Sequence, residues 1–550
     1  MTTLTREPAR ATARRPRENS LAGTGKLVRF NLRRDRIKLP AWLFGMFLFV
    51  FYYAAALPQL YKTEEDLQVI TEFIQGAVGA IVSGPGFGLD DPTIESVIVG
   101  VYGLYFLLLA ALMNILLVSR HTRVEEQTGR AELIRANVVG RHAPLTAALV
   151  IAVIANLLVT LLVAAAMAAA DLDTSDALLF GASIGALGLV WAGITALTVQ
   201  VSAFSRAGSG LAGAALGAAY VIRAAGDTIT EGGSLLSWFS PLAWSQQTRA
   251  YADGRWWPLL LSVAFAIVTA AVGYALSNRR DVGAGLIPPR GGSPTAAPWL
   301  RSPLTFAYRL QRASLIGWSV ALVVAAVVYG SMTRPIVDAF DDLPETMIDV
   351  MGGDPSRILD GYVSTMALTF AIVLAVFAIL GLQSVRSEET RGRTEPVLAT
   401  ATSRSAWLGG HVAVLAAGVV ALLAVSGLVL GIATAISVGD GSYVWDTTAA
   451  HLVYAPALLV LLGIAALLFG FVPSAVGATW VVFGFVTIIG FFGPIMDLPQ
   501  WVHNLSPLEH VARLPLDEVS WTPLVVLTVI AAGLIALGLY GFRQRDLDTK

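Results

Sequence analysis

The sequence contains no cysteine, only four lysines and little charge of either sign. Without cysteine, the chain has no structural disulfides, thiolate metal sites, iron–sulfur clusters or cysteine nucleophiles. Asp, Glu, Lys and Arg make up 14% of its 550 residues, against roughly a quarter in soluble domains. The formal net charge of −1 offers no general attraction to nucleic acid, so we expect no such partner. This composition excludes an ordinary soluble enzyme.

The few lysines also exclude an ATP site of the P-loop type within this chain. That motif, GxxxxGK[ST], needs a Lys that reaches the phosphates and a hydroxyl that binds Mg²⁺. Lys26 and Lys38 each precede Leu, Lys62 follows Tyr61, and Lys550 is the last residue. The six His show no HExxH spacing, and no GxSxG is present. We therefore predict no catalytic residue, no metal site and no cofactor in this chain, which is not expected to be an enzyme by itself.

Long apolar runs dominate what is present, and the mean hydropathy is +0.68. Runs of about 20 residues cross the ~30 Å hydrocarbon core as helices. The sequence therefore predicts an all-α polytopic membrane protein with twelve transmembrane helices. The predicted spans are residues 40–58, 95–119, 144–170, 178–203, 208–224, 257–277, 314–331, 362–384, 409–436, 450–472, 475–492 and 521–541.

Charge predicts the orientation of these spans. Residues 1–39 hold eleven Arg and Lys against three acids, which favours a cytoplasmic N-terminus. Residues 59–94 and 332–361 are acidic, as the outer side allows, whereas 120–143 and 385–408 are rich in Arg, as the inner side prefers. We predict a multi-pass protein of the inner (plasma) membrane with both termini cytoplasmic. Residues 1–20 are expected to be a disordered basic arm.

The chain is internally duplicated. At an offset of 263 residues, RVEEQTGRAELIRANVVGR, starting at Arg123, matches RSEETRGRTEPVLATATSR, starting at Arg386, with eight identities. Before the first span the offset is 276, from Phe30/Phe306 to Trp42/Trp318, so thirteen extra residues lie in the first outer loop. Order and direction are preserved, which predicts two parallel six-helix repeats. The predicted domains are 21–277 and 302–550, joined by a cytoplasmic Pro/Gly-rich linker at 278–301.

The duplicated stretch contains a charged EExxGRxE pattern, which we call the first charged element (residues 123–132) and the second charged element (residues 386–395). Glu126 and Arg130, like Glu389 and Arg393, have the i, i+4 spacing that stabilises a short surface helix. A solvated, salt-bridged loop would explain a single copy. Two copies at matched positions favour an element that contacts a partner. Its residues are Arg123, Glu125, Glu126, Gly129, Arg130, Glu132, Arg386, Glu388, Glu389, Gly392, Arg393 and Glu395.

Other polar and amphipathic features allow two interpretations each. Residues 26–38 and 304–312 mix apolar residues with Arg at helical spacing, as in a helix in the membrane interface or in a simple anchor. Arg223 and Asp227 are a functional candidate, or a snorkelling Arg paired with a loop Asp. Asn114 and Asn156 are placed to bridge helices or to contact substrate.

Through the EExxGRxE repeat the chain resembles ABC-2-type permeases, the transmembrane subunits of ABC exporters. The fused halves and their linker are similar to the actinobacterial "exporter of polyketide antibiotics" permeases, which include mycobacterial multidrug exporter subunits. The resemblance implies a type V, ABC-2-like exporter fold. It also implies connecting helices at 26–38 and 304–312, coupling helices at 125–132 and 388–395 that sit in a separate ATPase, and re-entrant segments at 235–244 and 501–510.

In that family the second and fifth helices of each half line the substrate cavity. Helix packing or lipid contact is the alternative for each aromatic residue. The candidates that this implies are Tyr105, Phe106, Met113, Asn114, Tyr220, Met366, Phe370, Phe377, Phe483 and Phe485.

The resulting hypothesis is the permease of an ATP-driven exporter of hydrophobic compounds such as drugs, antibiotics or lipids. Its expected partners are two copies of a separately encoded ATPase, which bind ATP and Mg²⁺, together with the substrate and membrane lipids. The alternatives are a secondary drug/proton antiporter, which would need a mid-membrane carboxylate, and a scaffold that recruits the ATPase without transport.

Overall fold

The computed structural model describes residues 19–63, 67–68, 71, 77–136, 139–230, 232–288, 291–334, 355–492 and 498–547. Within these ranges the secondary structure is helical, and no strand occurs. The chain divides into two compact units, Met1–Gly292 and Ser293–Lys550, which we call the first and second half. An all-α polytopic membrane protein, as predicted, is confirmed. The predicted basic arm lies almost entirely outside the described residues.

The first half has a short connecting helix followed by six long helices. These are α1 (Thr24–Arg34), α2 (Lys38–Leu60), α3 (Ile94–Gln127), α4 (Ala143–Ala169), α5 (Ala177–Val201), α6 (Ser205–Ile229) and α7 (Pro258–Ser277). The second half has six long helices. These are α8 (Pro303–Ser331), α9 (Pro355–Thr390), α10 (Arg404–Val438), α11 (Tyr443–Phe471), α12 (Pro473–Phe491) and α13 (Trp521–Gln544).

Eleven of the long helices in the described part of the chain are long and apolar enough to cross a membrane. The exception is the predicted fifth span, α6, which has 25 residues but contains five Gly together with Arg206, Arg223 and Asp227. A twelfth crossing therefore stays a prediction.

The connecting segments of the two halves differ. In the first half, α1 ends at Arg34 and α2 begins at Lys38. In the second half, α8 runs without a break from Pro303 to Ser331, so the separate helix expected at 304–312 is not found. Pro40 explains the difference: it lacks a backbone N–H and suits the first turn of a new helix, whereas its equivalent, Ile316, continues a helix.

The fourth and sixth spans of each half pack at glycine positions. In the second half, a β-carbon on Gly470 of α11 would lie 2.1 Å from the carbonyl oxygen of Gly538 on α13. In the first half, a β-carbon on Gly193 of α5 would lie 2.7 Å from the Ala266 carbonyl oxygen on α7. Small residues permit such close backbone approach between membrane helices. Each half therefore contains a tightly packed pair, α5 with α7 and α11 with α13.

The first part of the predicted linker is folded against the first half. Leu286 and Ile287 donate backbone hydrogen bonds to the carbonyl oxygens of Gln200 and Val201 at the end of α5, both at 3.0 Å. These bonds satisfy carbonyls that the end of a helix leaves unpaired. The domain boundaries stay predictions, but residues 280–287 are part of a structured junction.

Candidate functional site

Each charged element contains the end of the long second-span helix and the start of a short helix, with a glycine between them. Gly129 has φ +72° and Gly392 has φ +68°, a left-handed conformation that favours glycine and ends a helix. New helices begin at Arg130 (Arg130–Arg135) and at Thr394 (Thr394–Leu398). The single short helix predicted for each copy is therefore wrong.

The glycines also change the predicted ion pairs. The expected i, i+4 pairs from Glu126 and Glu389 do not form, because the helix does not continue through the intervening glycine. Arg130 instead lies 3.7 Å from Glu125, and Arg393 lies 3.1 Å from the equivalent Glu388. The two arginine side chains are 55% and 58% exposed. Such exposed pairs contribute little to stability and leave the arginines accessible.

Glu126 is held by an arginine that follows the sixth span. Its carboxylate oxygens accept hydrogen bonds from the two terminal nitrogens of Arg280, each at 2.8 Å. The side chain of Arg280 is 8% exposed and that of Glu126 is 14% exposed. The Nε of Arg280 donates to the Gln200 side chain at 2.6 Å, at the end of the fourth span. This two-point geometry is the strongest form of ion pair between side chains.

Glu389, the equivalent residue of the second half, is held in the same way. Arg545 donates to its two carboxylate oxygens at 2.6 and 2.7 Å. The Glu389 side chain is only 1% exposed. The Nε of Arg545 donates at 3.3 Å to the carbonyl of Phe469, near the end of α11. Both halves therefore join the end of the second span to the ends of the fourth and sixth.

In each half, a second arginine holds the backbone of the arginine that binds the glutamate. Arg141, just before α4, donates to the carbonyl oxygens of Ser277 and Arg280 at 2.9 and 3.0 Å. Arg404, its repeat equivalent at the start of α10, donates to the carbonyl oxygen of Arg545. A cation at the end of a helix is favoured by the unpaired carbonyls there. We call Glu126, Arg141 and Arg280 the first arginine clamp, and Glu389, Arg404 and Arg545 the second.

His142, next to the first clamp, is held neutral. Burial, and next the positive charge of Arg141, lower the pKa of His142 below its ordinary value. The imidazole packs edge-on against Tyr274 of α7, with ring centroids 5.4 Å apart. It therefore contributes packing here and no charge at neutral pH.

The arginine that begins each element, Arg123 or Arg386, differs in its surroundings between the halves. Arg123 has a side chain that is 0% exposed and donates to the Val199 carbonyl at 2.6 and 2.9 Å. It also donates to Glu126 at 2.7 Å and to the carbonyl of Ala284 at 3.0 Å. Residues 120–124 form a π-helical turn, a feature that is frequent at functional sites. Arg386 lies in a continuous α-helix and is half-buried.

A second junction joins the connecting segment to the second span. In the first half, Asp35 pairs with Arg120 at 3.0 Å and with His121. In the second half, the same repeat positions hold Gln311 and Ser384, with a neutral hydrogen bond of 2.9 Å. Asp35 and Gln311 are both 4% exposed. One half therefore buries charge where the other buries an amide.

Arg223 and Asp227 form a buried cluster at the predicted outer end of α6. Arg223 is 0% exposed and lies 3.3 Å from Asp227, which belongs to the same helix and not to a loop. Arg223 also donates to the carbonyls of Ala80 and Ile81, and Asp227 accepts from Ser237 at 2.6 Å. Snorkelling is therefore the wrong interpretation. The pair fastens the short helix Ala77–Val82 and the 237–239 turn to α6.

The segments expected to be re-entrant contain short helices. Pro241–Gln246 follows the turn at 237–239, and Gln500–His503 precedes a turn at 507–510. The Ser240 hydroxyl caps the first of these helices through the Leu242 N–H and donates to the Ala219 carbonyl of α6 at 2.7 Å. Their relation to a membrane stays a prediction.

Half of the predicted cavity residues lie in the core of their own half. Phe106 makes edge-on contacts with Phe49 and Phe180, and Phe377 makes one with Trp318. Asn114 and Asn156 exchange hydrogen bonds of 2.9 and 3.1 Å, so they bridge α3 and α4. The buried candidates are Phe106, Met113, Asn114, Phe370 and Phe377, whereas Tyr105 is 40% exposed and Tyr220, Met366, Phe483 and Phe485 are half-buried. Substrate contact by any of them stays a prediction.

Sequence reasoning did not identify Arg280 and Arg545. A signal was present, because Arg280-Asp281 and Arg545-Asp546 repeat at an offset of 265, just after the sixth span of each half. Arg141 and Arg404 were recognised as a repeated pair, but their role at the end of the sixth span depends on three-dimensional contacts.

Comparison with known proteins agrees with this layout. The sequence profile of a family described as "Multidrug efflux system permease Rv1217c, C-terminal domain" matches residues 26–276 and 300–543. The chain is 35% identical over 540 residues to the multidrug efflux system permease protein Rv1217c of Mycobacterium tuberculosis, which covers 96% of each chain. Many apolar helices, a repeated polar junction and this match lead to one assignment. The chain is a multi-pass transporter permease that belongs to the Rv1217c family of multidrug efflux system permeases.

Proposed function

We propose that this chain is the complete transmembrane part of an ATP-driven ABC exporter. Each charged element docks on one copy of a separately encoded ATPase, so that one chain binds two. The ATPase copies bind ATP and Mg²⁺ and hydrolyse the ATP, and this activity is expected only in their complex with the permease. The complex lies in the plasma membrane, with the charged elements and both termini on the cytoplasmic side.

The observation that carries this proposal is the exposed surface that both elements present. After the left-handed glycine, each element exposes an Arg and, two residues later, a Glu: Arg130 with Glu132, and Arg393 with Glu395. Leu133, the next residue in the first copy, is 73% exposed. The same charges at the same place in both halves suit two copies of one partner protein.

The substrate we propose is a hydrophobic compound, such as a drug, an antibiotic or a lipid. The spans are strongly apolar, as a pathway for such compounds requires. The M. tuberculosis relative is a multidrug efflux system permease, which supports export of more than one compound.

The first test is affinity purification of the tagged chain from its native membrane, with mass spectrometry and an ATPase assay. We expect a P-loop ATPase at about two copies per chain. The variant Glu132→Arg with Glu395→Arg changes only exposed residues, so the chain should fold and lose the ATPase. Glu518→Arg, at an exposed acid of the predicted outer side, is the matched control and should retain it.

Two results would count against the proposal. Co-purification of the ATPase with the double variant, as fully as with the control, would remove the docking role. A wild-type chain that purifies alone, and moves substrate into liposomes on a proton gradient without ATP, would instead establish the antiporter.

A further inference from the structure

The two arginine clamps have the same geometry although their surroundings differ. In each, the guanidinium of an arginine beyond the sixth span binds both carboxylate oxygens of a glutamate at the end of the second span. The partners are 154 and 156 residues apart in the chain. Both halves of the duplicated chain have therefore kept the same long-range pair.

Each clamp arginine is held at three points. Its terminal nitrogens bind the glutamate, its Nε binds the end of the fourth span, and its carbonyl oxygen accepts from Arg141 or Arg404. In the second clamp the guanidinium also lies over the rings of Phe469 and Phe542, at 5.1 and 5.0 Å. An arginine with so many contacts has little freedom to follow the glutamate alone.

The structure on the membrane side of each clamp is stiff. A β-carbon on Gly538 of α13 would lie 2.5 Å from the Ala466 carbonyl oxygen of α11, and one on Gly273 of α7 would lie 2.9 Å from that of Ala196 on α5. Backbones this close leave no space for one helix to slide past the other without a clash. A force applied at the clamp therefore moves the fourth and sixth spans together.

We propose that Arg280 and Arg545 are positioning residues that transmit movement of the charged elements to the paired fourth and sixth spans. The proposal rests on the docking of the ATPase described above. ATPase closure displaces the charged element, the glutamate carries the clamp arginine with it, and the helix pair follows as one body. The exposed residues of each charged element bind the ATPase, and its buried glutamate passes the displacement on to the helix pair.

The second clamp gives the sharper test. Glu126 also contacts Arg123, so a charge swap in the first clamp would bring two arginines together. For the second clamp we compare Arg545→Gln, the swapped variant Glu389→Arg with Arg545→Glu, and the control Arg543→Gln, an exposed arginine two residues away. Each is purified as the full complex with its ATPase, and ATP-driven ethidium transport and ATP hydrolysis are measured in liposomes.

We expect Arg545→Gln to retain bound ATPase and to lower ethidium transported per ATP by about tenfold, within the usual range of coupling between sites. The swapped variant should recover most of that loss, because it restores the two-point ion pair. A purely structural role would not lower transport per ATP while the ATPase stays bound. Arg543→Gln should match the wild type. An unchanged ratio in Arg545→Gln, or a loss of transport that merely follows a loss of bound ATPase, would overturn the proposal.

Spin labels give a second readout that does not depend on a transported probe. Because the chain has no cysteine, Ala399→Cys, at an exposed residue just after the second charged element, and Arg543→Cys introduce the only two labelling sites. The distance between them should stay the same on trapping the complex with ATP and vanadate, and should change in the Arg545→Gln background. If the distance changes on trapping in the otherwise wild-type chain, the proposed role of the clamp arginine is overturned. Absence of any bound ATPase would instead contradict the proposed function.

Discussion

The two halves bury their connecting junctions in different ways and yet keep the same clamp. The first half uses Asp35, Arg120 and His121, and the second uses Gln311 and Ser384 at the repeat-equivalent positions. Around the charged elements, the first half adds a buried Arg123 and part of the linker. The glutamate and the two arginines of each clamp keep both identity and geometry. Divergence around a constant ion pair indicates where the two copies are constrained by a common task.

The largest expected effect comes from removing a clamp arginine. Arg545→Ala leaves the buried Glu389 without its two-point partner, and we expect the free energy of unfolding to fall by about 3–5 kcal/mol. Arg280→Ala should cost less, because Glu126 is more exposed and still contacts Arg123 at 2.7 Å. Unfolding midpoints of the two variants in the same detergent measure the difference. If the two variants lose the same free energy of unfolding, Arg123 does not compensate for the loss of Arg280.

The next effect concerns the break after the connecting helix. Ile316→Pro places a proline inside the continuous helix α8, which should cost about 3 kcal/mol. Ile316 is 63% exposed, so loss of packing adds little. The reverse change, Pro40→Ile, should leave stability almost unchanged. Thermal unfolding of the two variants tests this asymmetry, and a similar loss in both would refute our explanation of the break.

The smallest effect separates the two connecting junctions. Asp35→Ala removes the acceptor of half-buried Arg120 and buried His121, and should lower the free energy of unfolding by about 2 kcal/mol. Gln311→Ala removes one neutral hydrogen bond and should cost about 1 kcal/mol. Asp35→Gln with Arg120→Gln and His121→Ser copies Gln311, Gln383 and Ser384 of the second half and should be milder than Asp35→Ala. If the variant that carries the second-half residues is less stable than Asp35→Ala, the two junctions cannot replace one another.

Much of this fold is readable from the sequence, because membrane spans follow directly from long apolar runs. The predicted span at 178–203 corresponds to α5, Ala177–Val201, and the one at 521–541 to α13, Trp521–Gln544. The fifth span is the weakest in both sequence and structure, since its Gly-rich helix with Arg223 and Asp227 lacks the usual apolar composition.

The polar sites were less predictable, for two physical reasons. Helical spacing predicts ion pairs only where the helix continues, and Gly129 and Gly392 end it. Glu126 and Arg280 meet across 154 residues, a contact that no local pattern contains. The duplicated Arg-Asp pair after each sixth span indicated the position of the clamp arginine but not its partner.

The close packing of the fourth and sixth spans has a consequence for entry from the bilayer. With the Gly538 carbonyl oxygen only 2.1 Å from where a β-carbon of Gly470 would lie, this seam does not admit even a methyl group. An acyl chain or a drug dissolved in the membrane is far wider than a methyl group and cannot pass there. A lateral portal into the second half therefore does not open where Gly470 meets Gly538, and this stretch of the α11–α13 seam is closed to lipid.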